Sequence, residues 1–132
     1  MLRRTLAAVF LAVLSVPAGA ESCLPPGHVV VLKANALDPD VFVWDSRARV
    51  VDYSAGYWRD TKDVVAHSLL AKPGTRAEVL HCYAGAVTSR YANAREDLLA
   101  VRLVSGPNRG RYGWVTSEDV LPAATATARA AR

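Results

Sequence analysis

Cysteine, methionine, phenylalanine and histidine are all scarce in this chain, whose 132 residues hold two Cys, one Met, two Phe and three His. With two cysteines no Cys-x-x-Cys pair of pairs can form, and His28, His67 and His81 fall in none of the short spacings that mark zinc sites, so no metal is expected. There is no glycine loop to cradle a phosphate, no haem-attachment motif and no Gly-x-Ser-x-Gly, and no cofactor is expected. No apolar run reaches the roughly 20 residues that a membrane-spanning helix needs. These absences favour a binding module over an enzyme.

Charge of one sign is also lacking where it would count. The formal net charge of +4 includes Arg3 and Arg4 at the amino terminus and Arg129 and Arg132 in the tail PAATATARAAR, and residues 21–121 hold 12 basic and 12 acidic side chains. Nucleic-acid binding needs a concentrated cationic face to replace phosphate counterions, so no nucleic-acid partner is expected.

What is present begins with an amino-terminal pattern. Arg3 and Arg4 precede an apolar run from Leu6 to Val16 that ends in Ala18-Gly19-Ala20, as in a secretory signal peptide spanning residues 1–20. Glu21 and Ser22 before Cys23 do not make the small-residue box of a lipoprotein. Export to a periplasmic or extracellular compartment lets Cys23 and Cys82 persist as a disulfide, and two cysteines allow one pairing. Closing so long a loop stabilises by roughly 4 kcal/mol in the chain-entropy model. The competing reading is two free or intermolecular thiols.

Residues 21–121 read as one small all-β domain with an amino-terminal extension, and residues 122–132 as a disordered tail poor in bulky apolar surface. Valine-rich and aromatic runs alternate with clusters of Gly, Pro, Asn and Asp. They predict strands over His28–Lys33, Val41–Asp45, Arg49–Tyr53, Thr75–Tyr83, Leu98–Val104 and Arg111–Val115, with helix only around Asp60–Leu70. Ser105–Gly110 is expected to reverse the chain, because Pro107 and Asn108 favour a turn and Gly110 permits a bulge. Leu99, Val101 and Leu103 then share one face, Tyr112 and Trp114 share another, and Gly113 leaves room for a neighbouring backbone. VTSEDVL after Trp114 fits one turn of tight helix followed by a short closing strand.

Taken together, GTRAEVL (74–80), DLLAVRLVSG (97–106) and GRYGWVTSEDVL (110–121) resemble the second half of a bacterial Src-homology-3-like (SH3-like) domain, over roughly residues 64–121. The order Gly-Trp-Val-x-Ser-x-x-Val carries the resemblance. It implies a small, partly open barrel of five to six strands that binds peptides, cell-wall material or other proteins and has no chemistry of its own.

Two loops suggest where such a ligand would lie. Tyr53, Tyr57 and Trp58 fall in VDYSAGYWRD, whose Ser, Gly and Asp residues suggest an exposed loop, and Arg90 and Tyr91 fall in TSRYANARED; aromatics beside arginines make the amphipathic, hydrogen-bonding surface enriched at recognition sites. In an SH3-like barrel these loops flank the ligand groove, which makes Tyr57, Trp58, Arg90 and Tyr91 the candidate contacts for a peptide, peptidoglycan or protein ligand. Trp44, Trp114 and Tyr83 read as core. Two alternatives remain: a small exported inhibitor or assembly factor of another protein, and a weak hydrolase with Cys82 as nucleophile. The second needs a nearby imidazole; His81, its strand neighbour, points to the opposite face, which leaves His28 and His67 as the candidate bases.

Overall fold

The computed structural model describes residues 23–35, 38–57, 60–89 and 93–122. Residues 1–22, those beyond Pro122, and Trp58, Arg59, Arg90 and Tyr91 lie outside the described residues. Seven antiparallel strands form one sheet in the order β3-β2-β6-β5-β4-β1-β7. They are β1 (Val29–Leu32), β2 (Val41–Trp44), β3 (Ser68–Ala71), β4 (Arg76–Thr88), β5 (Arg95–Leu103), β6 (Tyr112–Thr116) and β7 (Val120–Pro122). Two short helices, α1 (Arg47–Ser54) and α2 (Thr61–His67), interrupt the strands, and a 3₁₀ turn, Ser117–Asp119, precedes β7.

The sheet curls into a half-barrel. Ala71 of β3 and Val120 of β7 lie on strands at opposite ends of the order, yet both belong to one buried cluster with Val30, Leu32, Val79 and Leu99. Period-2 alternation supplies that interior: on β5, Leu99, Val101 and Leu103 are each 1% exposed. Burying each such side chain contributes roughly 1.5–3 kcal/mol relative to leaving it in water. The curl has local causes on β4, whose register against β5 slips between Val79 and His81 and again between Tyr83 and Val87. Such bulges bend a strand and increase its twist.

The β5–β6 hairpin forms as the turn residues require. Gly110 has a φ of +90°, its N–H donates to the carbonyl of Leu103, and the N–H of Leu103 donates to the carbonyl of Arg111. Two residues thus face one, with glycine in the left-handed position of the bulge. Ser117–Asp119 and β7 follow as VTSEDVL predicts. Pro122, which composition assigns to the tail, is instead the last residue of β7, opposite Val30.

Arg49–Tyr53 is helix, not strand. Ser46 accepts a hydrogen bond from the Arg49 N–H, and the helix closes at Gly56, φ +83°, with Gly56 N–H to Tyr53 O and Tyr57 N–H to Asp52 O. That paired closure is a Schellman motif, and the two caps outweigh the strand preference of Val50-Val51. Helix over Asp60–Leu70 holds only to His67; Ser68, Leu69 and Leu70 pair with Trp44, Val43 and Phe42, adding a strand to the expected five or six. Asp60 caps α2 by accepting from the Asp63 N–H at 2.9 Å, and Arg49 bonds Asp63 across the two helices at 3.1 Å.

The helices lie on the outer face of the sheet, where Val50 and Val64 join Trp44, Val87 and Leu98 in a second buried cluster. Trp44 is core as expected, but Trp114 is only half-buried against this cluster and Tyr83 is 38% exposed. Tyr83 stands on the outer face, its ring 6.0 Å from that of Trp114 and covered by the Arg47 guanidinium at 4.6 Å. Cys23 and Cys82 are joined, with Cα atoms 5.6 Å apart, tying the segment before β1 to β4. No helix among the described residues is long and apolar enough to cross a membrane.

Candidate ligand-binding site

A narrow cleft lies between α1 and the 3₁₀ turn. Its aromatic wall starts on β2, where Phe42 and Trp44, two residues apart, project to the same side of the sheet. Tyr53, one face of α1, reaches down to both, with ring centroids 5.7 Å from Phe42 and 4.7 Å from Trp44. Tilted rings at these separations attract one another beyond the area they bury.

The opposite wall is acidic. The Asp119 carboxylate accepts from both the N–H and the Oγ–H of Thr116, each at 3.1 Å, which fastens the 3₁₀ turn to the end of β6. Burial raises the Asp119 pKa to about 6; the Thr116 hydrogen bonds pull it down, the nearby Glu118 charge adds to the rise, and Lys33 opposes it. Glu118 accepts a hydrogen bond from the Ser89 hydroxyl. Asp38 of the β1–β2 connection borders the same cleft, its N–H held by the Asn35 side chain at 3.0 Å. The space admits a side-chain tip rather than a whole cofactor. An ammonium or guanidinium group suits it, with aromatic faces on one side and carboxylates on the other.

One of the two loops singled out by sequence starts at this cleft, and the residue before the other is bonded to a residue that lines it. Tyr53 and Ser54, four and three residues before Tyr57, line it, and Ser89, bonded to Glu118, immediately precedes Arg90. Tyr57 itself is 79% exposed and is not part of the lining, and Trp58, Arg90 and Tyr91 lie outside the described residues. Tyr53, which the sequence groups with Tyr57 and Trp58 in an exposed loop, stands instead on α1, and Phe42, Glu118 and Asp119 are not singled out by sequence. Their signals were the alternation in VFVW and the Thr-x-x-Asp spacing of a capping box at Thr116–Asp119.

Cys82 carries no free thiol, since it is bonded to Cys23, and His81 is exposed on the other side of the strand. The one group of His, Cys, Asp or Glu donors close enough to share a metal among the described residues is Cys23, Cys82 and Asp97, and its two sulfurs are bonded to each other. The chain matches no protein-family model, no curated protein and no solved structure.

Proposed function

We propose that this protein is an exported SH3-like binding module that holds a peptide, a peptidoglycan stem or an envelope protein and performs no chemistry on it. The leader-like amino terminus and the single disulfide support a periplasmic or secreted location. The observation that carries the reading is a cleft walled by Phe42, Trp44 and Tyr53 against Glu118 and Asp119, with Tyr53 and Ser54 leading into one aromatic-plus-arginine loop and Ser89, the residue before the other, bonded to Glu118. A cationic side chain, such as the amine of a diamino acid in a stem peptide or a lysine of a protein, is the group this cleft favours. Tyr57, Trp58, Arg90 and Tyr91 then act as the outer contacts.

Isothermal titration with soluble stem peptides, and capture from an envelope fraction, test the proposal. Tyr57→Ala combined with Trp58→Ala is expected to weaken binding at least tenfold, and Glu118→Gln to weaken amine-bearing ligands more than acetylated ones. Retention of wild-type affinity by the double variant would set the proposal aside.

A further inference from the structure

On the other side of Trp44 lies a larger cleft, of about 280 Å³, that the reading above does not use. It opens where the sheet splits. β2 pairs with β6 through one position, Trp44 opposite Trp114, and the next position, Ser46 opposite Tyr112, is never made because Ser46 turns away to cap α1. Tyr112 is paired to Arg102 of β5 on its other side. Leu103 exchanges its hydrogen bonds with Gly110 and Arg111, so the alternation of an antiparallel ladder turns the N–H and C=O of Tyr112 away from β5, toward the split.

The floor and rim differ in chemistry. Val43 and Leu69 supply apolar surface below. Above them stand Arg111, exposed and without an ion pair among the described residues, and His67, whose Nδ1 is held by Asp45 Oδ2 at 2.8 Å. Asp45 is thereby hydrogen-bonded to His67 and not to Arg111, so the Arg111 guanidinium is the cation of the rim that has no carboxylate partner among the described residues. A concave site with an apolar floor and a few convergent polar groups is the usual form of a ligand pocket, and barrel mouths are a usual place for one.

We infer that this cleft is a second binding site, which takes the carboxyl-terminal end of an extended polypeptide whose last side chain is apolar. The terminal carboxylate pairs with Arg111, the last side chain rests on Val43 and Leu69, and the backbone just before it bonds the open edge of β6 at Tyr112, completing the pairing that Ser46 leaves unmade. Strand addition and capture of a terminal carboxylate are both established modes of peptide recognition. A chain end fits better than a through-running segment because the Trp44–Trp114 pair closes the split at one end. This site does not rest on the function proposed above, and either can fail alone.

The test is titration of the ¹⁵N-labelled protein with three probes: the peptide Ala-Ala-Val-Leu with a free carboxylate, the same peptide as its carboxyl-terminal amide, and the amide of Ala-Glu-Val-Leu. The free acid is expected to shift the amide resonances of Asp45, Ser68, Leu69 and Arg111–Gly113, and to bind at least tenfold more tightly than either amide. Arg111→Ala, at an exposed side chain, should reduce the affinity for the free acid to that for the amide, and Arg111→Lys should recover part of it. Equal binding of acid and amide, equal binding of the free acid and the Glu-bearing amide, shifts confined to the cleft between α1 and the 3₁₀ turn, or no shifts up to about 10 mM, well above millimolar affinity, would each overturn the assignment.

Discussion

Gly113 lies flat against the backbone of Trp44: a β-carbon built on it would stand 2.9 Å from the Trp44 carbonyl oxygen and would collide with the Val43 side chain. Its φ is not in the left-handed region, so space rather than conformation demands the glycine. It adjoins the single paired position of β2 and β6, Trp44 opposite Trp114, through which the β2–β3 arm joins the rest of the sheet. Gly113→Ala is expected to destabilise by about 1–3 kcal/mol or more through overpacking. Gly110→Ala, with open space around it but a φ of +90°, should cost about 1 kcal/mol through backbone strain. Urea denaturation of both variants separates the two mechanisms.

The covalent tie makes a different prediction. Cys23 and Cys82 are 59 residues apart in sequence, and opening so long a loop should cost about 4 kcal/mol in the chain-entropy model. Replacing both by Ala, or reducing the protein, should lower the urea midpoint with a slightly larger m-value as the unfolded chain expands. An unchanged midpoint would show that the segment before β1 is held by other contacts.

Asp119 predicts a pH dependence of defined sign. Burial pushes its carboxyl up to about 6 in the folded chain, from an ordinary aspartate value of 3.8. The folded state therefore binds this proton more tightly than the unfolded state does. The contribution of the group to stability is greatest below about pH 4, falls as the pH rises from about 4 to about 6, and is flat above that. The fall amounts to roughly 2–3 kcal/mol at about 1.4 kcal/mol per pH unit. Asp119→Asn can still accept from Thr116 but does not titrate, so the difference between wild-type and variant stability should itself vary with pH across this window. A difference constant from pH 4 to 7 would contradict the burial argument.

The caps of α1 predict smaller effects. Ser46→Ala removes the acceptor for the Arg49 N–H and should cost about 1 kcal/mol. Gly56→Ala, at φ +83°, should cost a similar amount. Arg49→Ala breaks only a half-exposed bond to Asp63, and the loss should stay below about 1 kcal/mol. Thermal denaturation of the three variants should rank them in that way.

The strands that alternate cleanly are legible in the sequence. Leu99, Val101 and Leu103 share one buried face, the Pro107–Gly110 turn reverses the chain, and VTSEDVL makes a tight turn and a closing strand. Arg49–Tyr53 was misread because two adjacent valines carry the strand signal, while Ser46 and Gly56, the residues that start and stop a helix, stand outside the run. The Ser68–Leu70 strand was hidden because its partner, β2, lies more than twenty residues away in sequence.

The candidate site was legible only in part. Loop composition drew attention to Tyr57 and Arg90, but the aromatic trio needs Tyr53 from a helix to meet Phe42 and Trp44 from a strand. Tyr83 was misplaced in the core for a related reason: an aromatic in a strand says nothing about which face the barrel turns inward.

Residue order alone determined the all-β character, the disulfide partners and the turn of the hairpin between β5 and β6, because each depends on local backbone preference or on there being a single choice. Tertiary structure decided which sheet face is covered by helices, where the sheet splits beside Trp44, and which carboxylates and rings share a cleft. Those outcomes depend on contacts between segments far apart in the chain, and no short stretch of sequence holds both sides of such a contact.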